Sequence, residues 1–245
     1  MKSFRYGFIF CLLFSLISRP ALSQTIYTEN FPPYNYQVDG KLLGLSSQII
    51  QQMSRELGVQ PVISFLPWTR AYKYAKEREN SGIFSIVRIP TREDDFQWVG
   101  PIETVNIGIY TSEKNHTQYF GDNAHRLNQA KKVPSIGVQR GGAAERILTS
   151  MEFLNLDYSE TTRKAILRLI NNRYELLALD DNYLKFILEA ENVPIDRVRR
   201  IADVGKFDLY LAFSNSTPKN VVSKWQLALD KIKQDQSINN ERIVN

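Results

Sequence analysis

The sequence predicts an α/β protein with largely parallel sheets, and three observations carry that reading. Seven β-rich runs of four to six residues, at 25–28, 62–65, 82–87, 105–110, 135–139, 175–178 and 209–213, alternate with helical patterns. In the intervening stretches apolar residues recur at helical spacing, as in Leu45, Ile49, Ile50, Met53 and Leu57. Punctuation agrees: Gly58 stops that first helix, while Thr217 and Pro218 supply the N-cap and first position of the last one.

Taken in order, each later helix repeats the logic. Ala144, Ile147, Leu148 and Met151 share a face, as do Ala165, Ile166, Leu169 and Ile170. Val221, Val222, Trp225, Leu229 and Ile232 form the face of the C-terminal helix. Residues 114–132 are polar and weakly periodic, and read as surface structure at a boundary between two lobes.

Residues 1–23 read as an export signal rather than as part of the fold. Lys2 and Arg5 precede an 11-residue uncharged run from Gly7 to Ile17, and Ala21-Leu22-Ser23 offers small residues at a cleavage site. That run is too short to span a bilayer. Cleavage would leave 222 residues, enough for one large core or two lobes of about 100 residues each. Loss of Lys2, Arg5 and Arg19 lowers the formal charge from +5 to +2, which argues against a nucleic-acid partner. The single cysteine, Cys11, leaves with the signal, so no disulfide or cysteine-held metal is expected. With His116 and His125 as the only histidines, a multi-histidine metal centre is not expected either, nor any cofactor.

Ligands of open α/β sheets bind beyond the carboxyl ends of the strands, and three loops lie there. The first holds Arg88, Pro90 and Arg92; an arginine fork grips a carboxylate through two parallel bonds. The alternative is a surface arginine paired with Glu93, Asp94 or Asp95. The second is Gln139-Arg140-Gly141-Gly142-Ala143, where glycines admit a ligand close to the backbone at a helix start. An ordinary β–α turn has the same composition. The third is Asp180-Asp181-Asn182, whose acids either receive an ammonium group or cap the next helix. Tyr34 and Trp68 near strand ends either wall a pocket or belong to the core. No nucleophile–histidine pair, metalloprotease helix or dinucleotide fingerprint is present, so the patterns favour binding over catalysis.

Read together in order, these segments resemble a known family. Tyr27-Thr-Glu-Asn-Phe-Pro-Pro-Tyr34, Gly40-Lys-Leu-Leu-Gly-Leu45, Glu56-Leu-Gly58 and Pro67-Trp-Thr-Arg-Ala-Tyr72 open the similarity. Ser85 to Ile102, Ile136-Gly-Val-Gln-Arg-Gly141, Leu211-Ala-Phe-Ser214 and the Trp225 helix complete it. The chain is similar to bacterial extracellular solute-binding proteins of family 3, the periplasmic receptors for polar amino acids that serve ABC importers. The resemblance implies a two-lobe periplasmic binding protein fold of type II-like architecture, each lobe a mixed, mostly parallel sheet flanked by helices. Residues 24–108 and 210–245 would form lobe 1 and residues 109–209 lobe 2. Two hinge strands, near 105–110 and 207–211, would join them.

By the same resemblance Arg92 matches the clamp for a ligand α-carboxylate, with Ser85 and the Val87 backbone as neighbouring contacts. Tyr34 matches an aromatic wall, Gly141 and Gly142 the lobe-2 loop, and Asp180 the acid for an α-ammonium. Arg88 has no counterpart the family requires. Leu45-Ser-Ser47 stands where many relatives carry an acid, and Gly142-Ala143 where many carry threonine hydroxyls. The implied protein is a periplasmic monomer that hands a small carboxylate-bearing ligand to an ABC permease in the inner membrane. An amino acid, a dicarboxylate, a modified peptide and another small anion remain open as ligands. Two other functions fit the same scaffold. One is a periplasmic dehydratase resembling cyclohexadienyl dehydratase, with Glu175, Asp180 or Asp181 as the proton-transfer group. The other is a sensing module that works through a membrane receptor.

Overall fold

The computed structural model describes residues 24–244, with side chains to residue 235; the export signal read at 1–23 lies outside the described residues. An eight-stranded sheet runs in the order β4-β1-β5-β10-β6-β9-β7-β8. One end is built from β1 (Thr25–Thr28), β4 (Val62–Phe65) and β5 (Ser81–Val87), paired parallel. The other end is built from β7 (Ile136–Gln139), β8 (Leu156–Ser159) and β9 (Leu176–Asp180), again parallel. Between them run β6 (Phe96–Ser112) and β10 (Val198–Ser214), antiparallel to each other along nearly their whole length.

Helices cover each end as the apolar spacing requires. α1 (Leu45–Leu57), α2 (Trp68–Glu77) and α7 (Lys219–Val244) serve the first lobe. α3 (Asn123–Ala130), α4 (Ala143–Ser150), α5 (Thr162–Ile170) and α6 (Asp181–Ala190) serve the second. Ile50 and Met53 of α1 are fully buried, and Gly58 takes the left-handed conformation that ends the helix, as its position predicts. α7 starts at Lys219, one residue beyond the expected first position, with the Pro218 carbonyl accepting the first bonds, from the Val221 and Val222 amides.

Two expected strands prove much longer than read. Residues 105–110 and 209–213 are pieces of two 17-residue strands. The register of their pairing shifts between Arg200 and Ala202, Asp203 and Gly205, and Leu209 and Leu211. Each shift breaks the period-two alternation by which a strand is recognised in sequence. β10 bonds β5 only through Leu209–Phe213, and β6 bonds β9 only from Ile107 onward. Around Thr104–Asn106 and Lys206–Asp208 the structure therefore narrows to a two-stranded ribbon, with Thr104 Oγ1 donating to Asp208 at 2.9 Å.

The first lobe is closed by Trp225 of α7, which is 1% exposed. Its indole N–H donates to Gln24 at 3.0 Å and its ring lies 5.7 Å from that of Phe213. That one side chain ties the last helix to the start of β1 and to β10. Trp225→Ala is expected to cost about 3–5 kcal/mol through the cavity it leaves. Urea unfolding checks this, and a loss under about 1 kcal/mol would mean that α7 is held by other contacts.

Candidate ligand-binding cleft

The two lobes meet over a cavity of about 70 Å³. Its wall is drawn from both: Glu29, Phe31, Trp68, Ser85, Val87 and Arg92 from the first, Gln139, Gly142, Ala143, Thr162, Asp180 and Tyr183 from the second. Val105, Ile107 and Leu209 of the ribbon form its floor.

Arg92 sits at the centre of this arrangement. A 3-10 turn, Pro90–Asp95, follows β5 and turns its side chain inward until 1% is exposed. Nη1 donates to the Val87 carbonyl and Nη2 to the Gly141 carbonyl across the cleft, both at 3.0 Å. Nε is buried without a partner. The guanidinium lies 5.1 Å from the Trp68 ring and 5.5 Å from that of Tyr72, whose faces attract a cation. Burial pulls its pKa below the ordinary value to about 10, with the neighbouring Arg146 adding to the effect.

Ser85 reaches the cavity through a backbone irregularity. It adopts φ 59° inside a strand, at the point where the β5–β10 register shifts. The extra residue of such a bulge re-aims its side chain, and a left-handed conformation costs a non-glycine residue roughly 1–2 kcal/mol. The Ser85 hydroxyl is buried and unpartnered, like Arg92 Nε beside the same cavity.

On the opposite wall Asp180 both caps and faces the cleft. Oδ1 accepts from the Tyr183 amide at 2.9 Å, capping α6, while Oδ2 accepts from the Asn106 amide at 3.1 Å. The Tyr34 hydroxyl also donates to Oδ2, at 3.3 Å from the other lobe, and itself accepts from Asn182 at 3.0 Å. Burial raises the Asp180 carboxyl to about 6 against these bonds, and Asp181 next to it acts in the same direction. Trp68 Nε1 donates to the Gly141 carbonyl at 2.6 Å, so this one lobe-2 carbonyl receives both Trp68 and Arg92.

The remaining expected residues lie outside the cavity wall. Arg88 is exposed and ion-paired with Glu93, its guanidinium 5.4 Å from the Trp98 ring and 5.6 Å from that of Tyr210. Arg140 stacks over Tyr158 at 4.8 Å. Tyr34 supports Asp180 from behind the wall. Glu175 accepts from Tyr119, and Asp181 from Tyr110 and Arg200, away from the cavity. Residues the sequence reading did not single out include Glu29, Thr162 and Tyr183, and Gln139 was named only as the start of the second loop. Glu29 directly follows β1, in the same strand-end position that drew attention to the other loops. Although Glu29 keeps some solvent contact as a residue, its carboxyl faces the cavity, and burial raises it to about 7. Gln139 and Arg92 oppose that rise.

No helix among the described residues is long and apolar enough to cross a membrane. Residues 24–241 match the bacterial extracellular solute-binding proteins, family 3. A probable histidine-binding protein of Campylobacter jejuni is 21% identical over 209 residues, covering 84% of this chain and 77% of that protein. Among solved structures, a histidine kinase sensor domain with similarity to periplasmic binding proteins aligns with TM-score 0.74 at 12% identity, over 91% of this chain and 95% of that one. The arginine-, lysine-, histidine-binding protein of Geobacillus stearothermophilus aligns with TM-score 0.73 at 17% identity, over 88% and 91%. At such identities these structures speak for the fold, which is that of periplasmic binding proteins. With its family match extending over nearly all of the described residues, the chain belongs to the bacterial extracellular solute-binding proteins, family 3.

Proposed function

We propose that the chain is a periplasmic receptor, without chemistry of its own, for a small zwitterionic ligand, an amino acid or a related carboxylate-bearing metabolite. The lobes would close over the ligand by bending the ribbon at Thr104–Asn106 and Lys206–Asp208, and the closed form would deliver it to an ABC permease. The observation that carries this reading is the buried Arg92 guanidinium, whose Nε is unpartnered, on a cavity also lined by Ser85, with its unpartnered hydroxyl, and by Asp180. A carboxylate at Arg92 and an ammonium at Asp180 would satisfy both ends of a zwitterion. A ligand touching both lobes favours the closed state by its differential affinity for it.

Screening the mature chain against amino acids and small dicarboxylates by thermal shift checks the reading; the ligand should raise Tm by an amount that grows with its concentration. Arg92→Ala should weaken that ligand by at least about 30-fold, and Arg92→Lys should restore only part of the loss. Unchanged affinity in Arg92→Ala would remove the clamp assignment.

The likeness to a kinase sensor domain supports a second reading, in which a membrane receptor senses the closed form. Uptake of radiolabelled ligand separates the two: deleting the gene abolishes uptake in the first and leaves it intact in the second.

Ser85→Gly tests the bulge. Glycine relieves the left-handed strain, so Tm should rise by about 2 °C. Loss of the hydroxyl should weaken the ligand at the same time. A variant less stable than the parent would place the strain elsewhere.

A further inference from the structure

A further contact crosses the cleft outside the cavity wall. Trp68 and Tyr72 stand four residues apart and so share one face of α2. Opposite them on lobe 2 stand the Gly141 loop and, one turn into α4, Arg146. Trp68 donates to the Gly141 carbonyl, and a Cβ on Gly141 would lie 3.3 Å from Thr69 Cγ2, so α2 packs directly on this loop. One turn along α2, the Arg146 guanidinium lies 5.5 Å from the centre of the Tyr72 ring. Its Nε is buried without a hydrogen-bond partner. Neither Tyr72 nor Arg146 lines the cavity.

The ring is shared, because Arg92 of lobe 1 lies at the same 5.5 Å from it. Two guanidiniums on one ring repel each other, and Arg146 adds to the fall in the Arg92 pKa that burial causes. Asp95 offsets that repulsion. Its carboxylate accepts from the Tyr72 hydroxyl and, at 2.5 Å, from Lys76. Burial alone would raise the Asp95 carboxyl, yet bonds from Lys76 and Tyr72, with the charges of Lys76 and Arg146, hold it below its ordinary value. An anion accepting from the phenol also enriches the ring, which strengthens its pull on a cation. The acid beside Arg146, Glu145, is engaged by the Gly141 amide.

Resting on the hinge closure proposed above, but on no particular ligand, we propose that Arg146 is a latch of the closed form. Its guanidinium seats on the Tyr72 ring, with Asp95 behind, when the lobes meet, and leaves the ring when they part. Arg146 acts through Tyr72 and not on a ligand in the cavity, so it is a positioning residue. It sets how long the lobes stay together and not which ligand they choose. Loss of the latch shortens the stay of every ligand by the same factor.

Residues 24–245 contain no cysteine, so a pair of labels can be placed without background. Spin labels on Glu77→Cys, at the end of α2, and Leu154→Cys, beyond α4, both at exposed positions, read the lobe separation by electron–electron double resonance without ligand. The parent should show the short separation of this structure as a resolved population. Arg146→Gln should lower the ratio of short to long separations about threefold or more, and Arg146→Lys should regain part of the loss. Tyr72→Leu should lower the ratio as well, and adding Arg146→Gln to it should change little. An unchanged ratio in Arg146→Gln overturns the latch alone, as do two losses that add in full. A parent with only the long separation overturns the latch while leaving closure to a ligand. One fixed separation in every variant removes hinge closure itself, and the latch with it. A residue that merely stabilised its own helix would lower Tm without moving this ratio.

Discussion

The burial of one guanidinium is the constraint around which the cleft is arranged. Removing a charge from water costs several kcal/mol even after relaxation, so Arg92 persists only because several elements compensate it together. β5 supplies the Val87 carbonyl, the loop before α4 supplies the Gly141 carbonyl, and α2 supplies the faces of Trp68 and Tyr72. One of these partners belongs to the other lobe. The interaction that satisfies the arginine is therefore also one that holds the lobes together, and in the proposed reading a carboxylate entering at Arg92 would compete with a carbonyl already in place.

That competition has mechanical meaning because the lobes are joined so narrowly. Between the sheet's two ends, β6 and β10 bond only each other, while on either side they are flanked by further strands. Bending is easiest where the fewest hydrogen-bonded neighbours resist it. The contacts opposing it are those across the cleft: Trp68 and Arg92 to Gly141, Gln139 to Glu29, Tyr34 to Asp180, and the Phe31–Tyr183 ring pair at 5.3 Å. Most are hydrogen bonds to groups that a polar ligand would also seek. In the proposed mechanism, closure and recognition would thus draw on the same donors and acceptors.

How much of this is legible in the sequence depends on whether a signal is local. Parallel strands and amphipathic helices are, since the period of apolar residues reports the face each element buries. The β2 (Tyr36–Val38) and β3 (Lys41–Leu43) hairpin went unread although Asp39-Gly40, both at positive φ, mark its two-residue turn. β8 and the full lengths of β6 and β10 were missed because bulges and polar residues interrupt their alternation. In the cleft, Arg92, Ser85, Val87, Gly142, Trp68 and Asp180 follow from the rule that ligands bind at strand ends together with family resemblance. Glu29 stands at the same kind of strand end, directly after β1, but nothing local distinguishes an acid facing a cavity from an acid facing water. Gln139 and Thr162 gain their roles only from each other, across 23 residues of sequence.

The separate fates of Arg88 and Arg92 show what local structure adds to a motif. Only four positions apart, they flank the entry to the 3-10 turn, and that turn sends one side chain into the cleft and leaves the other outside. Yet both meet the same row of rings. Trp68, Tyr72, Phe96, Trp98 and Tyr210 are linked in succession, with centroids 6.0, 5.2, 5.8 and 5.8 Å apart. Arg92 lies over the cleft end of this row and Arg88 over the far end, where Tyr210 packs so closely on Gly100 that a Cβ there would come within 2.5 Å of the ring. Ring pairs of this kind contribute about 0.5–1.5 kcal/mol each beyond burial. The row therefore stiffens the first lobe from Arg92 to the base of the β6–β10 ribbon. Arg88 belongs to that support: its pairing with Glu93 and its place over Trp98 and Tyr210 help hold the wall on which Arg92 is mounted.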